Sequence, residues 1–261
     1  MDSWGLDRWG TVCLLLILSA LPAFGTSGVV IVTSDFVIIG ADSALMHTNS
    51  KGETTGFTQG CKILKEGNIF YFPVGEYAYP NFRFNLFDIA KQAIIKAGTV
   101  KNIYQTVEAP ILARLPSIVQ YNKSARTNEY ARWLRGIPII SITFASFEDN
   151  APIAAVIEFR IDAKGRVAPP TERTMSSVPG QLQLAAIGNG SAIVARTDSD
   201  SWMQRFDSDP INESQELIQL EIDASTREKR FDVGPPISIL MISRNSSGMV
   251  RGHEGKCQTG R

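Results

Sequence analysis

Two histidines and three cysteines among 261 residues leave little material for metal or imidazole chemistry. His47 and His253 stand in polar segments with no ligand spacing to cysteines or carboxylates. That speaks against a zinc site and against a Ser-His-Asp triad. Charge of one sign is also missing, because 26 basic residues balance 26 acidic ones and no long block of either occurs. The chain therefore carries no electrostatic footprint for nucleic acid or for an anionic membrane surface. There is no G-x-G-x-x-G after a strand, no P-loop, no internal repeat and no low-complexity tract. No cofactor is called for. Function must be argued from a site.

The apolar run Thr11–Leu21 is shorter than the roughly 18 residues that span a bilayer, and has the length of a signal-peptide core. Pro22 breaks any helix there, and Ala23-Phe24-Gly25 places small residues at −3 and −1 of a cut after Gly25. Residues 1–25 thus read as a signal peptide and 26–261 as one domain, with export to a secreted or periplasmic location. An uncleaved anchor and a buried first helix are the alternatives. After the cut Cys61 and Cys257 remain. Export would permit a bridge, but two cysteines make no disulfide framework, and free or buried thiols are the preferred reading.

Val29–Val32 and Phe36–Gly40 are β-branched runs that read as a hairpin, with a turn at Gly40–Ser43. His47–Gly60 is polar and reads as a loop or irregular ribbon, before a strand pair, "CKILK" and "NIFYFPVG". Helices are expected at Asn81–Ala97, with Gly98 as the stop, and at Asn102–Tyr121, interrupted by Pro110 and Pro116. A further hairpin joins "PIISITFASF" to "IAAVIEFRID", and a loop with Pro169 and Pro170 follows. "LAAIGNGSAIVAR" then runs from strand to helix, before a helix at Glu213–Arg227 and a last strand, "PPISILMISR". Grouped hairpins with helices between them predict an α+β fold. Strands apolar on both sides predict two stacked antiparallel sheets with helices on both outer faces. The first hairpin and the "CKIL" strand are expected in one sheet.

A cut after Gly25 would expose Thr26 with a free α-amino group. A threonine hydroxyl is a poor nucleophile until a base takes its proton. Near neutrality the residue's own amine, whose unperturbed pKa is about 7.7–8.0, can be that base. Such chemistry needs a cation beside the amine, a carboxylate to hold the cation, and a backbone N–H for the oxyanion. Asp42 can supply the carboxylate or be only a turn former. Lys62, in an apolar segment, is either a paired lysine or one that snorkels to the surface. Gly75 ends an aromatic strand and is either a donor or a simple bend.

"TSGVVIVTSDFVIIGADS", followed by "KIL" and "FPVGEYA", resembles the start of proteasome β subunits and of the bacterial HslV peptidase. "LAAIGNGSAIVA" is similar to the same family's turn into a helix. The resemblance implies an N-terminal nucleophile (Ntn) hydrolase fold, a four-layer αββα sandwich, and a threonine-type peptidase or amidohydrolase. It implies Thr26 as nucleophile and base, Lys62 as the cation, Asp42 as its holder, Gly75 as oxyanion donor and Ser191 beside the amine. Asp232, in "DVGPP", stands in the place of a later family aspartate, while the serine that follows in the family has no counterpart. A peptide or amide substrate follows, with no nucleic acid, no cofactor, no metal and no membrane after leader removal. A homo-oligomer is compatible with it. Two alternatives stand beside this reading. One is a non-catalytic structural or binding protein, as proteasome α subunits are. The other is a small-molecule amidase or acylase using the same site.

Overall fold

The computed structural model describes residues 27–48, 54–188, 190–197, 200–228 and 233–252. Its organisation follows from strands that are apolar at nearly every position and so have two faces to bury. In β1 (Ser27–Val32) every residue is buried. Alternation sends Val29 and Ile31 to one side and Val30 and Val32 to the other, into two different hydrophobic clusters. β2 (Phe36–Asp42) divides in the same way, with Ile38 on the first side and Val37, Ile39 and Ala41 on the second.

Among the described residues this builds two five-stranded sheets, antiparallel throughout. One runs β12 (Gln183–Gly188), β1, β2, β13 (Ile237–Ser243), β14 (Ser247–Arg251). The other runs β11 (Thr171–Ser176), β10 (Ala151–Phe159), β9 (Ile140–Glu148), β6 (Ile69–Gly75), β5 (Leu64–Glu66). Val30, Ile39 and Leu240 of the first share a core with Phe72, Val74 and Val156 of the second. Helices α1 (Leu86–Ala97), α2 (Ile103–Leu112), α3 (Leu115–Ala125) and α4 (Thr127–Leu134) cover the outer face of the second sheet, over Ile142, Phe144 and Ile157. Helices α5 (Ser191–Thr197), α6 (Asp200–Ser208) and α7 (Pro210–Arg227) cover the first, over Val29, Ile31 and Ile239. The layer order is α, β, β, α, the sandwich expected from the sequence. No helix among the described residues is long and apolar enough to cross a membrane.

Several local expectations are corrected. β2 does not turn at Gly40 but continues to Asp42, because its ladder with β13 runs to the pair Ile237↔Asp42. The polar stretch from His47 is not corrected: it joins the irregular ribbon that was one of the two expectations, β3 (Ala44–Thr48) with β4 (Thr54–Gln59), its register shifting between His47 and Thr48. Helix α1 begins at Leu86 and not at Asn81. The preceding residues form a second ribbon, β7 (Ala78–Tyr79) with β8 (Phe84–Asn85). Asn85 then caps the helix, its Oδ1 accepting the amides of Phe87 and Asp88 at 3.0 and 3.4 Å. The segment from Asn102 is two helices: Pro110 sits inside α2, and Pro116 lies in the first turn of α3, where its missing N–H costs nothing.

Two corrections touch the site. Lys62 precedes its strand, since β5 begins at Leu64, and β5 lies in the sheet that does not contain the first hairpin. The ladder decides this: Leu64 pairs with Tyr71 of β6, and β6 is hydrogen-bonded along β9. Nor is Cys61 a free thiol, because it is disulfide-bonded. The other two cysteines, Cys13 and Cys257, lie outside the described residues. A framework count does not bear on a single bridge, which needs only two thiols within reach.

The two sheets are in tight contact at Gly28. A Cβ there would stand 2.2 Å from Cε1 and 2.7 Å from Cζ of Phe72, a ring with no exposure of its own. Gly28→Ala is therefore expected to lower stability by about 1–3 kcal/mol, the usual cost of overpacking, read as a fall in the urea midpoint.

Candidate functional site

Asp42 is the last residue of β2, where the strand leaves the sandwich, and it is completely buried. A buried carboxylate needs donors, and this one draws them from separate parts of the chain. Oδ1 accepts the Lys62 ammonium at 2.8 Å and the Ser27 amide at 3.0 Å. Oδ2 accepts the Ala44 amide at 3.1 Å, closing a local aspartate turn, and the Gly234 amide at 3.2 Å. Burial pushes the Asp42 carboxyl above its ordinary range, and the Lys62 ammonium and the amides of Gly234 and Ser27 oppose that push. The backbone around it is tied as well, Ser43 N donating to Gly234 O at 3.1 Å and Gly60 N to Ser43 O at 3.0 Å.

Lys62 is 3% exposed. It is thus a paired interior lysine and not one that snorkels. The extended stretch that carries it, ahead of β5, also sends Ile63 into the core between the sheets. Ser27, whose amide shares the Asp42 oxygen with Lys62, is the residue through which Thr26 is attached. Thr26 itself lies outside the described residues, as does Asp232.

Gly75 ends β6 with φ +94°, and a Cβ there would stand 2.3 Å from Ile139 O. Only glycine fits. Gly75 pairs with Ile140, and Glu76 N donates to Ile139 O at 3.0 Å. In an antiparallel ladder that makes Gly75 and Ile140 a non-hydrogen-bonded pair, so the Gly75 N–H points away from β9. It faces the edge of β6 that β5 leaves uncovered beyond the Leu64–Tyr71 pair. Gly75 is also exposed.

Ser191 opens α5, and its side chain lies outside the described part. The turn before it leaves β12 at Gly188, which pairs with Ser27, so the start of α5 follows closely on the start of β1. That start is fixed by a residue that sequence reading missed. Glu221 of α7, fully buried, accepts the amides of Ala192 and Ile193 at 2.7 and 3.3 Å through Oε1. Its signal was a charge on the apolar face of an amphipathic helix. The amides of Ser27, Ala44 and Gly234 were also missed, and backbone donors leave no mark in a sequence.

Removing the cation from this pair strands a buried charge. Lys62→Met is expected to cost about 3–5 kcal/mol at neutral pH. The loss should depend on pH in a definite direction. Without Lys62 the folded-state pKa of Asp42 rises further above its unfolded value. The penalty is then full above that raised value and fades as pH falls toward the ordinary carboxylate range, where Asp42 is neutral in both states. Urea melts of wild type and variant between pH 4 and pH 8 check this, the gap narrowing toward acid.

The sequence matches no family model and no curated protein. Among solved structures, the chain is similar to an Anbu mutant from Hyphomicrobium sp. strain MC1, with 15% identity, 87% of this chain and 86% of that one covered, and a TM-score of 0.43. It is also similar to eukaryotic HslV from Trypanosoma brucei, with 17% identity, 84% of this chain and 100% of that one covered, and a TM-score of 0.43.

Proposed function

We propose that this protein is an exported N-terminal threonine hydrolase that cleaves a peptide or other amide bond. The observation that carries the reading is the buried Lys62–Asp42 pair, whose carboxylate oxygen also binds the Ser27 amide. An ammonium is thereby held beside the residue joined to Thr26. In this reading residues 1–25 are a signal peptide, and its removal makes Thr26 the first residue of a secreted or periplasmic protein.

The chemistry is acyl transfer. The Thr26 hydroxyl attacks the substrate carbonyl while its own α-amine takes the hydroxyl proton and passes it to the leaving amine. Lys62 favours the neutral form of that amine by charge repulsion, the form that can act as base. Asp42 holds Lys62 in place and compensates its charge. The oxyanion is met by the Gly75 N–H, a kind of contact worth roughly 2.7–4 kcal/mol when a single donor is removed. Water then releases the acyl group from Thr26. Ser191 helps to place the amine, and Asp232 supports it from the segment before Gly234.

The test is processing first, then activity. Intact mass of the exported protein should correspond to a chain beginning at Thr26. Thr26→Ala should abolish amide hydrolysis with the thermal midpoint retained, and Thr26→Ser should keep part of it. A mature terminus at any other residue, or full activity in Thr26→Ala, would overturn the reading.

A further inference from the structure

Directly after Gly75 the chain carries a charge that the chemistry above does not use. Both carboxylate oxygens of Glu76 accept from Nη1 of Arg126, at 3.1 and 3.2 Å. The Tyr79 hydroxyl belongs to the same cluster and favours the ionised form of Glu76. That hydroxyl in turn accepts from Arg126 Nη1 at 2.9 Å and from Asn122 Nδ2 at 2.7 Å. Both of its lone pairs are then engaged. The cluster is largely dry, with the Arg126 side chain 8% exposed and that of Glu76 16% exposed. The Tyr79 ring is wedged against Phe82, Phe84 and Tyr121.

Both ends of the cluster are anchored. Arg126 is the joint between α3 and α4: its amide donates to Asn122 O at 3.0 Å, and its carbonyl accepts from Tyr130 N at 3.1 Å. On the other side Glu76 N is bonded to Ile139 O, at the start of β9. A buried ion pair contributes little net stability compared with apolar groups of the same size. What it does supply is a single conformation. That matters at Gly75, because glycine has the widest backbone freedom of any residue. Val74 on one side is held in the ladder with Ser141. Glu76 on the other is held by Arg126, which Tyr79 braces in turn, so Gly75 is anchored on both sides.

We propose that Arg126 and Tyr79 are positioning residues for the Gly75 amide, acting through Glu76, so that the α3–α4 joint holds the oxyanion donor in place. The inference rests on the hydrolase reading, because only there does this amide meet a developing oxyanion.

The test uses processed protein labelled with ¹⁵N-glycine, and a β-lactone as probe. In the probe reaction Thr26 Oγ forms an ester to the lactone carbonyl carbon and the ring C–O bond breaks. The hydroxyl proton passes by way of the α-amine to the released ring oxygen, so the adduct is read by intact mass. In Arg126→Leu the Gly75 amide resonance should move, with that of Gly40 unchanged. Acylation should slow by about 10²-fold, the scale of a misplaced oxyanion donor. Arg126→Lys, which restores a cation to Glu76, should recover part of both. Tyr79→Phe keeps the ring and the ion pair and should shift both readouts the same way by less, which covers an Arg126→Leu protein that does not fold. Acylation by wild type together with an unmoved Gly75 signal in Arg126→Leu or Tyr79→Phe overturns the positioning role alone. Wild type that the lactone leaves unmodified overturns the hydrolase reading and, with it, the catalytic purpose of the cluster.

Discussion

The Asp42 carboxylate is the constraint on which the site depends. It is buried without exposure and accepts from one ammonium and three backbone amides. Each donor removes part of the cost of burying a charge, and each is thereby fixed in position. The carboxylate thus sets where β1 begins, where the chain turns into β3, where Lys62 points and where the segment before β13 passes. A neutral residue of the same size could fill the space, but it could not hold Lys62 inside the protein.

The sandwich supports this by making the strands rigid on both sides. β1 and β2 bury one face against the other sheet and one against α7 and its neighbours. Close packing resists displacement at the strand ends as well as in the middle. Gly28, one residue after Ser27, has no side chain because Phe72 fills that space. Phe72 and Gly75 belong to the same strand, β6. Contact between the sheets therefore sets the strand bearing the Gly75 amide against the strand that begins at Ser27.

Much of this was legible in the sequence, for physical reasons that can be named. The β-branched runs at Val29–Val32 and Ile153–Ile157 are apolar at consecutive positions, which marks strands covered on both faces. Pro110 and Pro116 indicated an interrupted helical segment. Lys62 within an apolar run asked for a buried partner, and Asp42 is that partner. What was hidden depends on long-range pairing. β11 reads "TERTMS" and is mostly exposed, so it has no apolar pattern, and only its ladder with β10 makes it a strand. The assignment of β5 to the second sheet lies in its hydrogen bonds to β6, which composition does not encode. Asn122 and Arg126, one helical turn apart, lie 43 and 47 positions from Tyr79 and form no motif with it.

The Asp42–Gly234 hydrogen bond joins residues 192 positions apart. Its consequence concerns birth of the protein, not its resting state. A chain emerging from a ribosome can form the β1–β2 hairpin early, because those contacts are local. The Gly234 donor cannot reach Asp42 until the chain has been made beyond residue 234, and such distant contacts close late in folding. An incomplete chain therefore holds this carboxylate short of a partner, and with it the lysine that the carboxylate orients. Truncated or stalled products would be born without an assembled site.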